Sequence, residues 1–492
     1  MAKNTISFLR AGKIVEHKVA NPMQTVLDYL RLERRETGTK EGCNEGDCGA
    51  CTVVIGRLRD GKVHYETANS CIMLLPHLHG CELITVDDLS AASRLHPVQD
   101  AFVRHHASQC GFCTPGFVMS AFSLYHADAA PGRAAILDAF AGNLCRCTGY
   151  RPIIAATEEA CAGKPDDAWS RHGDGIIAEL AKLQGSDDVF CGDEQGFAAI
   201  PASEESLLQL AAKYPDATLV GGGTDVGLWI TKQLRLLPRI IFTHRVRPLH
   251  AVGDRKATLS LGAATTYAEA ESALGGLAPD VGAVIRRIGS RQVRNQGTIG
   301  GNIANGSPIG DMPPMLIALG SRIVLRSKDA SRDIPLEDFF IAYGKQDRKP
   351  GEILWRIDIP KPRENERFFA YKLSKRFDQD ISAVMAGFRF TIAGRSIASA
   401  VLAFGGMAAT PKRARKTEEA LGGLRLDDES SWDSRIAVLT QDFTPLSDMR
   451  ASAAYRLEAA QGVLRKALME LAGSQAQSTR LEAAGGAAQT WL

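Results

Sequence analysis

Residues 41–51, EGCNEGDCGAC, set three cysteines among glycines and acids. The reading of those thiols decides the first domain. Eleven cysteines are spread over 492 residues, of which 45% are hydrophobic and 23% charged, with a net charge of +2. That length predicts three or four domains, and that balance a water-soluble protein. A charge so close to zero gives no broad basic face, so neither nucleic acid nor an anionic membrane is expected as a partner. The opening MAKNTISFLRAGKIVEH lacks the apolar core and cleavage site of a signal peptide. No apolar run approaches the roughly 18 to 20 residues that cross a bilayer. A cytoplasmic protein is predicted, and in that compartment cysteines are ligands sooner than disulfides.

Cys43, Cys48 and Cys51 follow C-x4-C-x2-C, with Cys71 placed to return from another strand. This is the plant-type 2Fe-2S spacing, four thiolates for four iron positions. A loop around an anionic cluster needs backbone N–H groups aimed at sulfur, and Gly42, Gly46 and Gly49 are expected to take the positive φ angles this requires. TISFLR and KIVEHKV read as strands joined by an Ala-Gly turn, Thr25–Glu33 as a helix, and CTVVIG as a strand. A β-grasp ferredoxin domain over residues 1–86 follows. The alternatives are a structural zinc site, which usually uses paired C-x2-C knuckles, or four unrelated thiols.

Cys110 and Cys113 lie in QCGFCTPG, and Cys145 and Cys147 in NLCRCTGYRP. Thr114 and Pro115 read as the cap and first turn of a helix over PGFVMSAFSLYHA, whose N-terminal dipole favours anionic thiolates. GRAAILDAFAGNL and residues 97–107 and 152–162 also read as helices, which predicts an all-α four-helix domain over 87–164 holding a second metal centre. Taken alone, this cysteine set also suits zinc. Cys81, Cys161 and Cys191 fall outside both patterns and read as packing thiols. His77, His79, His105 and His106 read as surface or helix-packing residues, since the cysteines complete both sets.

The β-grasp pattern followed by CGFCTPG and CRCTGY resembles the two-cluster portion of the xanthine oxidase family of molybdenum hydroxylases, over about the first 165 residues. The polar text of 165–192 reads as a linker with one short helix near Ile176–Leu183. Beyond it, ATLVGGGTDVGLWI suggests strand, glycine loop and helix, with N–H groups of Gly221, Gly222, Gly223 and Thr224 free to cradle a pyrophosphate; an ordinary glycine turn is the alternative. It departs from the G-x-G-x-x-G fingerprint. A second glycine-rich stretch, RQVRNQGTIGGNIANGSPIGDMPP at 291–314, makes a dinucleotide a better fit than a mononucleotide.

GGGTDVG and GTIGGN, with KLSKRFDQDIS and FGGMAATPKRA further on, resemble the flavoprotein domains of the same family. That resemblance implies an α/β FAD-binding domain at 193–363, a C-terminal α+β domain at 364–475 and a disordered tail at 476–492. The family's FAD contacts fall on Leu219, Val220, Gly221, Gly222, Gly223, Thr224, Asp225 and Val226, on Thr298, Ile299, Gly300, Gly301 and Asn302, and on Asp311, Leu354 and Lys372. Ile288 stands where better-known relatives carry a phenylalanine against the flavin ring. Lys372 reads equally as an exposed strand lysine, and Lys375 and Arg376 either as surface cations or as groups steering an anionic pyridine nucleotide.

The resemblance further implies a relay from a molybdenum-pterin centre through two 2Fe-2S clusters to FAD and then NAD. With no molybdenum domain before Leu492, that centre is expected on a large partner chain, in a heterotetramer of two small and two large chains. Hypoxanthine and xanthine are the substrates implied by analogy; an aldehyde or N-heterocycle is the alternative. A non-catalytic redox or zinc scaffold and a self-sufficient NADH-acceptor oxidoreductase are the readings from other classes.

Overall fold

The computed structural model describes residues 2–90, 94–127 and 130–473. The tail read as disordered at 476–492 lies outside them. The chain forms two compact units, one of residues 1–248 and 289–298, the other of 249–288 and 299–492. The chain thus passes between units inside the stretch expected to be one FAD-binding domain.

The first unit opens with a five-stranded sheet in the order Lys13–His17, Ile6–Arg10, Glu82–Ile84, Thr52–Arg59, Lys62–Asn69. Ile6–Arg10 runs antiparallel to Lys13–His17 and parallel to Glu82–Ile84. This mixed order is the β-grasp arrangement. The helix read over Thr25–Glu33 is a short α-helical turn, Val26–Asp28, running into a π-helical turn, Tyr29–Glu33. Thr25 caps it, its hydroxyl accepting from the Asp28 N–H at 3.0 Å.

Four helices follow at Pro97–Arg104, Thr114–Ala127, Arg133–Phe140 and Arg151–Ala160. Their core gathers Phe117, Phe122, Ile136 and Ile153 with Val54 and Ile84 of the β-grasp sheet, so the two cluster domains share one apolar interior. Thr114 is the first helical residue and not the cap; its hydroxyl donates to Ser108 Oγ at 2.8 Å.

The stretch read as a linker is built into this core. It forms helices Ala168–Arg171 and Gly173–Lys182 and the strand Val189–Gly192. Trp169 is buried, and its indole N–H donates to Glu82 Oε1 at 3.1 Å. Asp167 caps the first of these helices and takes hydrogen bonds on one oxygen from His96 Nε2 at 2.8 Å and His126 Nε2 at 2.7 Å. Val98 N–H donates to His96 Nδ1, which places that ring's hydrogen on Nε2. These two imidazoles and one carboxylate lock the segment to the helical domain. The polar composition of residues 165–192 concealed a few large apolar anchors.

The strand Val189–Gly192 begins a second sheet, continued by Phe197–Ile200, Arg239–Phe242 and Thr218–Val220, with the last three parallel. Lys3 bridges to Val189 and ties the N-terminus to this sheet.

The second unit contains a five-stranded sheet, Val252–Asp254, Thr258–Gly262, Ile353–Pro360, Arg322–Arg326 and Ser331–Pro335, and a four-stranded antiparallel sheet led by Glu366–Leu373, Val384–Ala393 and Ser396–Gly405. The 19-residue helix Ala453–Leu471 covers the latter, burying Ala460, Leu464, Ala467 and Leu468 against Phe388 and Phe404. Those positions repeat at three and four residues, the helical period of a single buried face.

Candidate iron-sulfur and flavin sites

Cys43, Cys48 and Cys51 lie on one loop entering the strand Thr52–Arg59, and Cys71 follows the end of its hairpin partner Lys62–Asn69. The hairpin therefore brings the fourth thiol back to the first three, with Cys51 Sγ and Cys71 Sγ 3.2 Å apart. The N–H groups of Asp47 and Cys48 point at Cys43 Sγ at 3.4 and 3.3 Å, and that of Cys43 at Cys48 Sγ at 3.3 Å. Hydrogen bonding with Cys48 holds the Cys43 thiol down to about 5. Convergent sulfurs ringed by backbone donors are what an anionic cluster requires.

The glycines of this loop have different reasons. Gly46 and Gly49 take φ of +77° and +70°. Gly42, expected to share that conformation, does not; a Cβ there would come 2.7 Å from Cys48 Sγ, so it is small to admit sulfur. Asn44 supplies another positive φ, +54°.

In the helical domain, Cys110 and Cys113 immediately precede the helix Thr114–Ala127, and Cys145 and Cys147 lie between Arg133–Phe140 and Arg151–Ala160. Cys110 and Cys147 are exposed, whereas Cys113 and Cys145 are half-buried. Burial pushes the Cys113 thiol up to about 12. Burial acts likewise on Cys145, but hydrogen bonds with Thr148, whose Oγ1 is 3.2 Å from Cys145 Sγ, with the Cys147 backbone and with Cys113 together outweigh it and lower that thiol. The tyrosine of the CRCTGY motif, Tyr150, accepts the Cys145 N–H on its hydroxyl at 3.0 Å.

The two cysteine loops touch. Leu144 N–H donates to the Cys48 carbonyl at 3.0 Å, and Asn143 Nδ2 donates to the Gly49 carbonyl at 3.1 Å. Gln292, from the distant RQVRNQG stretch, sends its Nε2 hydrogens to Thr52 Oγ1 and Asn143 Oδ1, each at 3.1 Å. Asn143 and Gln292 lie inside motifs quoted from the sequence, but nothing in their spacing marked them as polar struts. Cys81, Cys161 and Cys191 are buried in apolar cores, with Cys81 Sγ also accepting from the Arg57 guanidinium at 3.1 Å and Cys191 Sγ donating to the Asn4 carbonyl at 3.2 Å.

Of the carried-over flavin positions, Leu219 to Val226 and Thr298 belong to the first unit. Leu219 and Val220 end the strand Thr218–Val220, Gly221 to Thr224 form the loop, and Val226 opens a short helix. A Cβ at Gly222 would lie 1.6 Å from the Gln296 carbonyl and one at Gly221 2.8 Å from Thr298 Oγ1, so the two glycine stretches pack against each other. Among the described residues, the N–H groups of Gly222, Gly223 and Thr224 donate to no protein acceptor. Three successive donors so left over form a nest that fits an anion such as a pyrophosphate. Lys232, just beyond the short helix, donates to the Cys43 carbonyl at 2.6 Å and joins this region to the first cysteine loop.

The remaining positions belong to the second unit. Ile299 to Asn302 begin the helix Ile299–Asn305, with Gly300 N–H donating to Ala263 O at 2.9 Å. A Cβ on Gly300 would meet the Ala263 carbonyl at 2.5 Å. Leu354 is buried on the strand Ile353–Pro360, and Ile288 is half-buried after the helix Pro279–Arg286. Lys372 is no exposed strand lysine: it is 6% exposed, with Nζ 2.7 Å from Asp311 Oδ2 and 2.8 Å from Ser382 Oγ. Two positions far apart in sequence are thus one buried ion pair. Lys375 Nζ donates to the Met449 carbonyl at 2.9 Å, and Arg376 stays exposed beside Asp380.

Among the four histidines, His77 and His79 are buried and not at the surface. His79 Nδ1 accepts the Ser7 N–H at 3.0 Å, and His77 Nε2 reaches the Gly221 carbonyl at 2.8 Å. His105 sits beside Glu159 on the helical surface. Among the described residues, no helix is long and apolar enough to cross a membrane.

Comparison with known proteins agrees with this geometry. Residues 9–75 match the 2Fe-2S iron-sulfur cluster binding domain family, 85–158 the 2Fe-2S binding domain, 195–362 the FAD binding domain in molybdopterin dehydrogenase, and 369–471 the CO dehydrogenase flavoprotein C-terminal domain. Xanthine dehydrogenase/oxidase of Mus musculus is 34% identical over 473 residues, covering 85% of this chain and 35% of its own length. The Gallus gallus protein of that name is 31% identical over 515 residues, covering 89% and 38%. The chain therefore spans little more than a third of these relatives. Crystalline Cu,Mo-CO dehydrogenase in its cyanide-inactivated form is similar with a TM-score of 0.53 and 26% identity, over 56% of this chain and 97% of that one. Quinoline 2-oxidoreductase from Pseudomonas putida 86 gives 0.51 and 25%, over 56% and 95%.

Two 2Fe-2S domains and an FAD-binding domain in one chain define an iron-sulfur flavoprotein that transfers electrons. It belongs to the xanthine oxidase family of molybdenum hydroxylases, as the iron-sulfur and FAD-binding part.

Proposed function

We propose that this chain is the electron-transfer small subunit of a xanthine dehydrogenase. It takes electrons from the molybdenum-pterin centre of a large partner chain, in a heterotetramer of two small and two large chains, and delivers them to NAD during oxidation of hypoxanthine and xanthine to urate. The observation that carries this reading is the presence of both cysteine sets and the glycine loops in one chain, 85–89% of which aligns with proteins named for xanthine oxidation. The clusters supply one-electron carriers and FAD the conversion between single electrons and hydride.

In this reading Cys43, Cys48, Cys51 and Cys71 hold one cluster, and Cys110, Cys113, Cys145 and Cys147 the other. The Leu144–Cys48 hydrogen bond keeps their loops in register for transfer between them. The open N–H groups of Gly222, Gly223 and Thr224 receive the FAD pyrophosphate. The other FAD contacts fall on Leu219, Val220, Gly221, Asp225, Val226, Ile288, Thr298 through Asn302, Asp311, Leu354 and Lys372. The Lys372–Asp311 pair holds its cation in place without a flexible surface stem. Lys375 and Arg376 steer the nicotinamide dinucleotide.

A second reading, a small subunit serving another molybdenum hydroxylase that acts on an aldehyde or N-heterocycle, is favoured by the similarity to quinoline 2-oxidoreductase. Anaerobic titration of the purified chain with NADH, followed by visible absorption and low-temperature EPR with iron and flavin quantified, tests the relay. Bleaching of the flavin with two distinct 2Fe-2S signals is expected. Zinc in place of iron, or flavin reduction without both signals, overturns it. Xanthine, aldehyde and quinoline assays on the complex with its large chain then separate the two readings.

A further inference from the structure

His77 belongs to the first cluster domain, on the turn Leu75–Leu78 that follows Cys71, yet its side chain ends on the glycine loop of the flavin region. Nε2 lies 2.8 Å from the Gly221 carbonyl oxygen. A carbonyl only accepts, so Nε2 carries the hydrogen. Burial pushes the imidazole down to about 4, leaving a neutral ring whose single N–H is committed to Gly221. Phe242 packs edge-on at 4.8 Å between centroids, and the His244 ring lies 5.3 Å away. A Cβ on Gly223 would approach His77 Cε1 to 3.1 Å, so the ring leaves no room for a side chain at that position.

The Gly221–Gly222 peptide is planar and trans, so a carbonyl held toward His77 turns the Gly222 N–H to the opposite side. That N–H begins the run of three donors without a protein acceptor. We infer that His77 is a positioning residue for FAD: by fixing the Gly221 carbonyl it presets the donor nest for the pyrophosphate before the cofactor arrives, and it makes flavin binding depend on the cluster domain being folded. This role rests on the proposed flavin function. Donors fixed in advance bind an anion without an ordering cost.

The test uses the full chain with both clusters intact, stripped of flavin and titrated with FAD by flavin fluorescence. His77→Phe removes the donor, His77→Asn keeps an amide too short to reach, and His77→Gln places an amide N–H where Nε2 stood. Losing one neutral hydrogen bond's worth of preorganisation raises the FAD Kd about fivefold in H77F and H77N, while H77Q stays within about twofold of the parent. Iron content and the EPR signals of both clusters stay as in the parent in all three. Should H77F fail to fold, H77N against H77Q decides. Parental FAD affinity in H77N or H77F overturns the role, as does an H77Q loss as large as that of H77F, which would show packing alone. A parent that holds both clusters yet takes up no FAD overturns the flavin reading itself, and the role of His77 with it.

Discussion

The backbone N–H of Leu144 donates to the carbonyl of Cys48 at 3.0 Å, joining one cysteine loop to the other through a single main-chain hydrogen bond. Around it the contact is too close for side chains. Gly49, at φ +70°, would place a Cβ 2.1 Å from the Gly142 carbonyl, and a Cβ on Gly116 would lie 2.1 Å from the Gly49 carbonyl. Gly49→Ala therefore disturbs both loops at once. Its expected outcome is loss of iron from both domains, read as iron per chain and as both EPR signals. Gly61, at φ +74° with nothing within 4 Å, is the control: alanine there costs only about 1 kcal/mol and leaves both signals in place. Retention of either signal at parental strength in Gly49→Ala would contradict the shared-loop account.

Gln292 is 1% exposed and donates to Thr52 and Asn143, which flank different cysteine sets. Gln292→Leu removes two hydrogen bonds from a buried network in which Asn143 Oδ1 keeps its donor Ser120 at 2.7 Å and Thr52 Oγ1 keeps Asn143 at 3.3 Å, at about 1 kcal/mol per bond lost. A fall in the thermal midpoint with cysteine ligands and iron content initially intact is expected by scanning calorimetry. A midpoint equal to the parent's would show the network to be slack.

Lys372 and Asp311 form a buried pair at 2.7 Å. Removing one partner strands the other: Lys372→Met should cost about 3–5 kcal/mol and lower bound FAD, whereas Lys372→Met with Asp311→Leu should recover much of the stability but not the flavin. Denaturant midpoints for the two single variants and the double variant complete the cycle. Additive losses would mean that the two side chains do not sense each other.

Burial raises the Glu82 carboxyl from 4.5 to about 7, with the Trp169 N–H bonded to one oxygen. The folded state therefore keeps a proton that the unfolded chain releases near its ordinary pKa. The associated stability is complete below about 4.5 and falls as pH rises to about 7, by about 3 kcal/mol in all. Glu82→Gln should be indifferent near pH 5 and raise the thermal midpoint near pH 8. An equal effect at both values would place the cause in packing and not in the proton.

The sequence by itself determined where the thiols gather. C-x4-C-x2-C with Cys71, and the C-x2-C and C-x-C pairs, are local patterns, because one loop or one helix end presents most of each cysteine set. The glycine runs at 221–223 and 300–301 were legible for a similar reason: close approach to backbone requires the missing side chain at Gly222 and Gly300. What the tertiary structure alone decided depends on contacts between residues far apart along the chain. Gln292 meets Thr52 across 240 positions, and His77 meets Gly221 across 144. Lys372 finds Asp311 across 61, which turns a strand lysine with an equal claim to solvent into a buried cation. The polar stretch 165–192 became two helices and a strand because Trp169, Ile176 and Leu180 had an apolar core to enter. Periodicity reports the faces of an element; it does not report which distant element covers them, and that choice placed the glycine loop at 221–224 against the first ferredoxin-like domain.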